Sequence, residues 1–276
     1  MCKKIWTLFK MEFSRIWHDD NGAMCTILFP MMLPFVIYMV ALGGTEYLQV
    51  AITEPLPKSL NMVLGGLYGI SITMILMIVC NCFSTLVFFR QRHNGELFPL
   101  LGSSTSRTSI AMTKLGTVCL HTLVVGLSLG VGFVLCFNYT YAPEADNLHL
   151  TLGESISACA VILSLSLTVA TGMCLISALA VSKAVANDSK SSLTVMLPLV
   201  SVIPIFANMT SSVAFQFLPV CNTASCLYDI WMKQVSYRNI AITCAVNLVC
   251  VFVFGYLICR AFHKPNAMLS TIPEEA

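Results

Sequence analysis

Arg90, Arg92, Arg107 and Lys114 crowd into one stretch, FRQRHNGELFPLLGSSTSRTSIAMTK, which is the only long polar break between two strongly apolar runs. The chemistry this cluster offers is contact with a membrane surface. Arg107 and Lys114, seven residues apart, share a helical side and are expected to snorkel to the headgroups. Leu97, Leu100 and Leu101 share a face at i, i+3 and i+4, which predicts a short helix over 96–101 stopped by Gly102. Ser106 is placed to cap the helix that follows, its hydroxyl accepting from a first-turn N–H.

Bond-making chemistry finds no support elsewhere in the chain. The sequence contains no GxxxxGK[ST] loop to cradle nucleotide phosphates, no HExxH and no GxSxG elbow. Thirteen cysteines lie almost entirely within apolar runs, where a thiol is a small hydrophobe, and they show no zinc-ligand spacing. Cys221 and Cys226 stand apart in a predicted outer segment, where a disulfide could join them. Inside the apolar runs, His121 is the one titratable group away from the ends: either a neutral hydrogen-bonding residue or a pore or relay group. Asn81 and Asn247 either line a polar path or hydrogen-bond between helices. Gly65/Gly69 and Gly126/Gly130 form GxxxG pairs, a signal of close helix contact.

The elements that carry these groups are set by composition. Hydrophobic residues make up 57% of the chain, charged residues only 10%, and the mean hydropathy is +0.82, against about a quarter charged in soluble domains. The chain is therefore an all-α integral membrane protein, and a net charge of +2 gives no field for nucleic acid. Residues 1–20 form an amphipathic interfacial helix: Ile5, Leu8, Phe9, Glu12, Phe13, Ile16 and Trp17 share one stripe, apolar except for Glu12. Recurring charges and the lack of a small-residue cleavage site argue against a secretory signal. Six spans follow, at 24–43, 60–89, 109–137, 155–182, 192–207 and 240–262; about 20 residues cross about 30 Å of hydrocarbon, so the second, at about 30 residues, should tilt or project beyond the membrane. Pro30 and Pro34 kink the first, and Pro198 and Pro204 interrupt the fifth. Residues 90–108 form a segment between spans two and three. Residues 208–237, half apolar around Pro219, read as broken helices re-entering one leaflet. A loop with Glu144, Asp146 and Glu154 joins spans three and four. Twelve Lys and Arg fall on the side of the termini and three on the other, which predicts both termini and residues 90–108 in the cytoplasm.

The order of these features resembles a permease subunit of the type-2 ABC exporter family, and the resemblance covers most of the chain. The family pattern of a glycine, a leucine pair, Ser-Pro-x-Ser-Arg-x-Glu-Ile and a closing lysine is matched here by Gly95, Leu100, Leu101, Ser103, Ser106, Arg107, Ile110 and Lys114. Ser104 stands in place of the proline, Ser109 in place of the glutamate, and Phe98 where a glutamate is usual. Ser182-Lys183 and Leu197-Pro198 resemble the family's turn between spans four and five. Pro219, Asn222, Asp229 and Val235-Ser236 resemble the outer segment of its sodium-extrusion (NatB) group, though residues 44–59 replace that group's large outer domain. In size the chain is closer to permeases for antibiotics and peptides.

The resemblance implies a plasma-membrane exporter in which this chain pairs with a second permease, homodimer or heterodimer. Two copies of a separate ATP-binding subunit would hold ATP and magnesium, and this chain would bind no cofactor or metal. Residues 90–108 become the coupling segment, with Arg92, Gly95, Glu96, Leu97, Leu100, Leu101, Ser106, Arg107 and Lys114 as its coupling residues and the leucine face docking into an ATPase groove. Asn81, His121 and Asn247 become path-lining candidates, and the cargo an amphiphile, peptide or drug-like molecule. The alternatives are an assembly or interaction protein of the same fold that moves nothing, or a secondary carrier. The latter should show intramembrane carboxylates or an internal repeat, and neither is visible.

Overall fold

The computed structural model describes residues 2–26, 58–140, 148–180, 183–201, 203–206 and 217–263, and among them every regular element is helical. The helices are α1 (Cys2–His18), α2 (Lys58–Ser84), α3 (Gln91–His93), α4 (Leu97–Leu101), α5 (Arg107–Thr140), α6 (Leu152–Leu179), α7 (Lys183–Ser201), α8 (Ile203–Phe206), α9 (Pro219–Trp231) and α10 (Tyr237–His263), with a π-helical turn, Thr85–Arg90, joining α2 to α3. Among the described residues, four helical stretches are long and apolar enough to cross a membrane: Tyr68–Arg90, Arg107–Asn138, Leu152–Leu179 and Tyr237–His263. They coincide with the second, third, fourth and sixth spans expected from sequence. Most of the expected first span, residues 27–43, lies outside the described residues, as do Glu144, Asp146 and residues 207–216.

Helix α6 is the centre of the bundle, packed between α5 and α10 and against α2 and α9. Its sequence suits that position, being apolar all round after Glu154 in the first turn apart from hydroxyls. Those hydroxyls are satisfied within the helix: Ser166 and Ser177 donate to the carbonyls of Ile162 and Met173 at 2.7 and 2.9 Å. Close approach to α5 depends on glycine. A Cβ at Gly126 would stand 2.3 Å from Ser166 Oγ, and one at Gly130 3.0 Å from Cys159 Sγ, so this GxxxG pair is an internal seam between α5 and α6. Helix α10 turns Val249, Phe252, Val253 and Tyr256 outward, an apolar face suited to lipid.

Three boundaries differ from the sequence reading. Glu154, expected in a loop, is the third residue of α6 and closes a capping box with Thr151, whose N–H donates to Glu154 Oε2 at 2.7 Å. The helix over the expected fifth span begins earlier than expected: the polar residues 183–190 are already helical, Pro198 sits inside α7, and α7 is not one of the four stretches long and apolar enough to cross a membrane. Helix α9 is one compact helix that starts on Pro219 and buries Cys221 through Leu227, Ile230 and Trp231. Trp231 closes that end of the bundle, its ring centroid 4.8 Å from Tyr68 and 4.9 Å from Phe137. Cys221 and Cys226 are both free: five residues apart on a helix they face different neighbours, Val200 O at 3.5 Å and Thr243 Oγ1 at 3.0 Å.

Candidate functional site

The polar segment after α2 is built onto the bundle by a buried ion pair with the first helix. Leu8, Glu12 and Ile16, spaced by four, form the inward stripe of α1 and are all buried, Glu12 at 0% exposure. Opposite it, Lys114 on α5 is also at 0%, and its Nζ lies 2.7 Å from Glu12 Oε1. Gln91 completes the arrangement. Its Nε2 donates to Glu12 Oε2 at 2.6 Å, while its Oε1 accepts from Lys114 Nζ. Lys114 spends its remaining donor on the Val87 carbonyl, 3.2 Å away in the π-helical turn. That wide turn buries Leu86 to Phe89 in succession and leaves Gln91 and Arg92 both pointing inward. The single acidic residue in the apolar stripe of α1 thus has a matched cation and an amide for both carboxylate oxygens, as a buried charge requires.

Outer contacts repeat the same connection. Arg15 pairs with Glu96 at 2.7 Å, Arg90 with Asp19 at 2.6 Å, and Lys4 donates to Ser104 Oγ at 2.6 Å. Being partly exposed, each of these contributes at most about 1 kcal/mol. Helix α1 therefore touches the segment near its start, middle and end. Between α1 and the segment lies a polar pocket of about 430 Å³, lined by Arg15, His18, Asp19, Arg90, Asn94 and Glu96.

The expected coupling residues divide into groups with different surroundings. Arg92 is buried and donates from Nη1 to the Ala180 carbonyl at 2.8 Å, which caps the end of α6; its burial pulls the guanidinium below its usual pKa. Gly95 turns the chain with φ 72°, a conformation that disfavours any Cβ. Ser106 caps α5 as expected, accepting from Ser109 N at 3.2 Å. Arg107 is half-buried at the start of α5. Lys114 does not snorkel to headgroups, because its ammonium lies inside the bundle against Glu12. The leucine face of α4 is divided, with Leu97 buried and Leu100 and Leu101 half-buried. Leu97 is 3% exposed and belongs to the core, and Leu100 and Leu101 pack against it. Among the described side chains of this turn, Asn94, Glu96, Pro99 and Gly102 are the exposed positions.

The three path candidates do not come together. Asn247 is fully buried and donates to Ser164 Oγ at 2.8 Å and Thr223 Oγ1 at 3.3 Å, tying α10 to α6 and α9. His121 donates from Nδ1 to the Thr117 carbonyl, 2.8 Å away, and is boxed by Phe13, Phe83 and Trp17 with ring centroids 4.6, 5.5 and 6.3 Å distant. Asn81, half-buried, accepts from Thr85 Oγ1 at 3.3 Å through its amide oxygen. Sequence reasoning passed over Glu12, Arg15, Asp19 and Gln91. Only Glu12 carried a signal, as the one acid in an apolar stripe. Comparison with family models, characterised proteins and solved structures finds no match to this chain.

Proposed function

We propose that this chain is the permease subunit of an ATP-driven exporter of the type-2 ABC class, working in the plasma membrane with both termini in the cytoplasm. It pairs with a second permease, and separate ATP-binding subunits carrying ATP and magnesium drive it. The observation that supports this most is the Glu12–Lys114–Gln91 lock. A segment that transmits force from an ATPase must move as one body with the spans it shifts. Here residues 90–108 are fixed to α1 and α5 through Glu12 and Lys114, and to the end of α6 through Arg92 and the Ala180 carbonyl. A push on the turn at Gly95–Gly102 would reach α1, α5 and α6 together. Leu97 anchors the lever inside the chain, so the ATPase contact falls on the exposed positions Asn94, Glu96, Pro99 and Gly102.

The test is co-purification of the tagged chain from its native membrane. An ATP-binding subunit should accompany it and be lost from Pro99→Glu, while Leu97→Asp should instead lower the yield of folded chain. Purification without any ATP-binding partner, in detergents that preserve other ABC complexes, would refute the reading and favour an assembly protein or a secondary carrier.

A further inference from the structure

A cavity of about 320 Å³ lies where α2, α6, α7, α9 and α10 meet. Met77 of α2, Met173 of α6 and Phe254 of α10 line it, and all three fall within stretches long and apolar enough to cross a membrane, so the cavity sits at hydrocarbon depth. Leu193 and Leu197 of α7 supply a further wall. None of the described lining residues carries a charge. The one polar side chain among them is Thr168, whose hydroxyl is committed to the backbone, 3.0 Å from both the Ser164 and the Asn247 carbonyls. A charged or hydrogen-bonding guest would lose its water here and gain no partner in return.

Size and chemistry narrow the guest further. An apolar cavity of about 150 Å³ stays dry and holds one benzene, so roughly twice that volume suits two fused rings. The volume also stands at the lower end of the range for small-molecule sites. Two thioethers and one phenyl ring are the polarisable groups in the wall. Thioether sulfur favours the edge of an aromatic ring, and ring meets ring edge-to-face or offset, so each of the three gains more from an aromatic guest than from a saturated one. The Phe254 ring lies against α6 at Gly172, where a Cβ would stand 3.6 Å from its Cε2, which gives this wall a set position. The methionines, being unbranched, can settle around a flat guest on the other sides.

We infer that this cavity is a binding site for an uncharged, fused two-ring aromatic group held among Met77, Met173 and Phe254. A lipid acyl chain is the rival occupant of any apolar space at this depth. It is linear and saturated, and draws only apolar contact from the two sulfurs and the ring, so experiment separates the two. The inference deepens the permease reading by naming the buried part of the cargo and rests on it for transport alone; binding to the purified chain does not depend on it.

The experiment is photolabelling of the full chain in nanodiscs, without an ATPase, by a radiolabelled phenyl diazirine. Adducts are mapped by mass spectrometry, and competitors are corrected for their partition into protein-free discs. Labelling should fall on the cavity-lining residues and saturate. Naphthalene should compete about fivefold or more tightly than decalin or dodecane, the scale of two or three aromatic contacts, and naphthoate should not compete. Met173→Leu, which keeps the volume and removes a sulfur, should narrow the preference for naphthalene over decalin. Leu197→Trp, which fills the cavity, should abolish labelling there. Equal competition by naphthalene and either saturated hydrocarbon on wild type would overturn the site even if every variant failed to fold. So would effective competition by naphthoate, cavity labelling untouched by Leu197→Trp, or adducts confined to the outward-facing Phe252 and Val253 of α10. Saturable labelling of a chain that purifies without any ATP-binding partner would leave the site standing and refute the permease instead.

Discussion

Replacing Lys114 by methionine tests the central feature of this structure, because it removes a charge and nearly conserves volume. At 2.7 Å between Lys114 Nζ and Glu12 Oε1, two unit charges attract by about 6 kcal/mol at an effective dielectric of about 20. Burial costs several kcal/mol per ion and cancels much of that gain, so the pair's net contribution is small while a broken pair is expensive. Lys114→Met alone leaves Glu12 fully buried with Gln91 Nε2 as its hydrogen-bond donor and the Arg15 guanidinium, 3.9 Å away, as its remaining cation, and should cost about 3 kcal/mol, the low end for a broken buried pair. Glu12→Leu alone should cost a similar amount, by stranding the ammonium. The double variant removes both charges and should recover most of the loss, giving a coupling energy of about 2 kcal/mol or more. Heating the chain in mild detergent and following the monodisperse fraction by size exclusion measures each arm of the cycle. The reasoning fails if Lys114→Met melts with wild type, or if the two single losses simply add.

Further outcomes follow from single contacts. Gly126→Leu should destabilise by about 1–3 kcal/mol in the same assay, since its Cβ would stand 2.3 Å from Ser166 Oγ, whereas Gly116→Ala, with nothing within 4 Å, should be silent. Thr151→Ala removes the cap of α6 and should cost about 1 kcal/mol; an unchanged melting curve would mean that Lys233, bonded to Glu154 at 2.7 Å, holds this end unaided. Gly95→Ala places a Cβ at φ 72° and should cost about 1–2 kcal/mol, less for Gly95→Asn, which tolerates that region; equal losses would show that the turn relaxes.

Several elements were legible in the residues because the signals that define them are local. A run of apolar residues long enough for the bilayer needs no partner to be recognised, and the spans around 60–89, 109–137, 155–182 and 240–262 lie where helices now stand. Ser106 could be assigned as a cap because a cap bonds within its own turn. The amphipathic stripe of α1 was equally plain, but the side it faces was not. Snorkelling and burial use the same seven-residue spacing, so nothing in Arg107 and Lys114 distinguished a headgroup contact from an ion pair. The leucines of α4 show the same ambiguity: a stripe says that a face is buried, not whether its own chain or another covers it.

Sequence by itself determined that this chain is helical, that it is embedded in membrane and where four of its spans run, since these depend on composition and period over neighbouring residues. The tertiary structure alone decided that Glu12 meets Lys114 across 102 positions, that Gly126 and Gly130 form an internal seam, and that Lys190 is buried against the hydroxyls of Ser84 and Thr85. Each of these is a pairing between distant segments. The low dielectric of a packed bundle makes such pairings strong, and only the relative rotation of whole helices chooses among them.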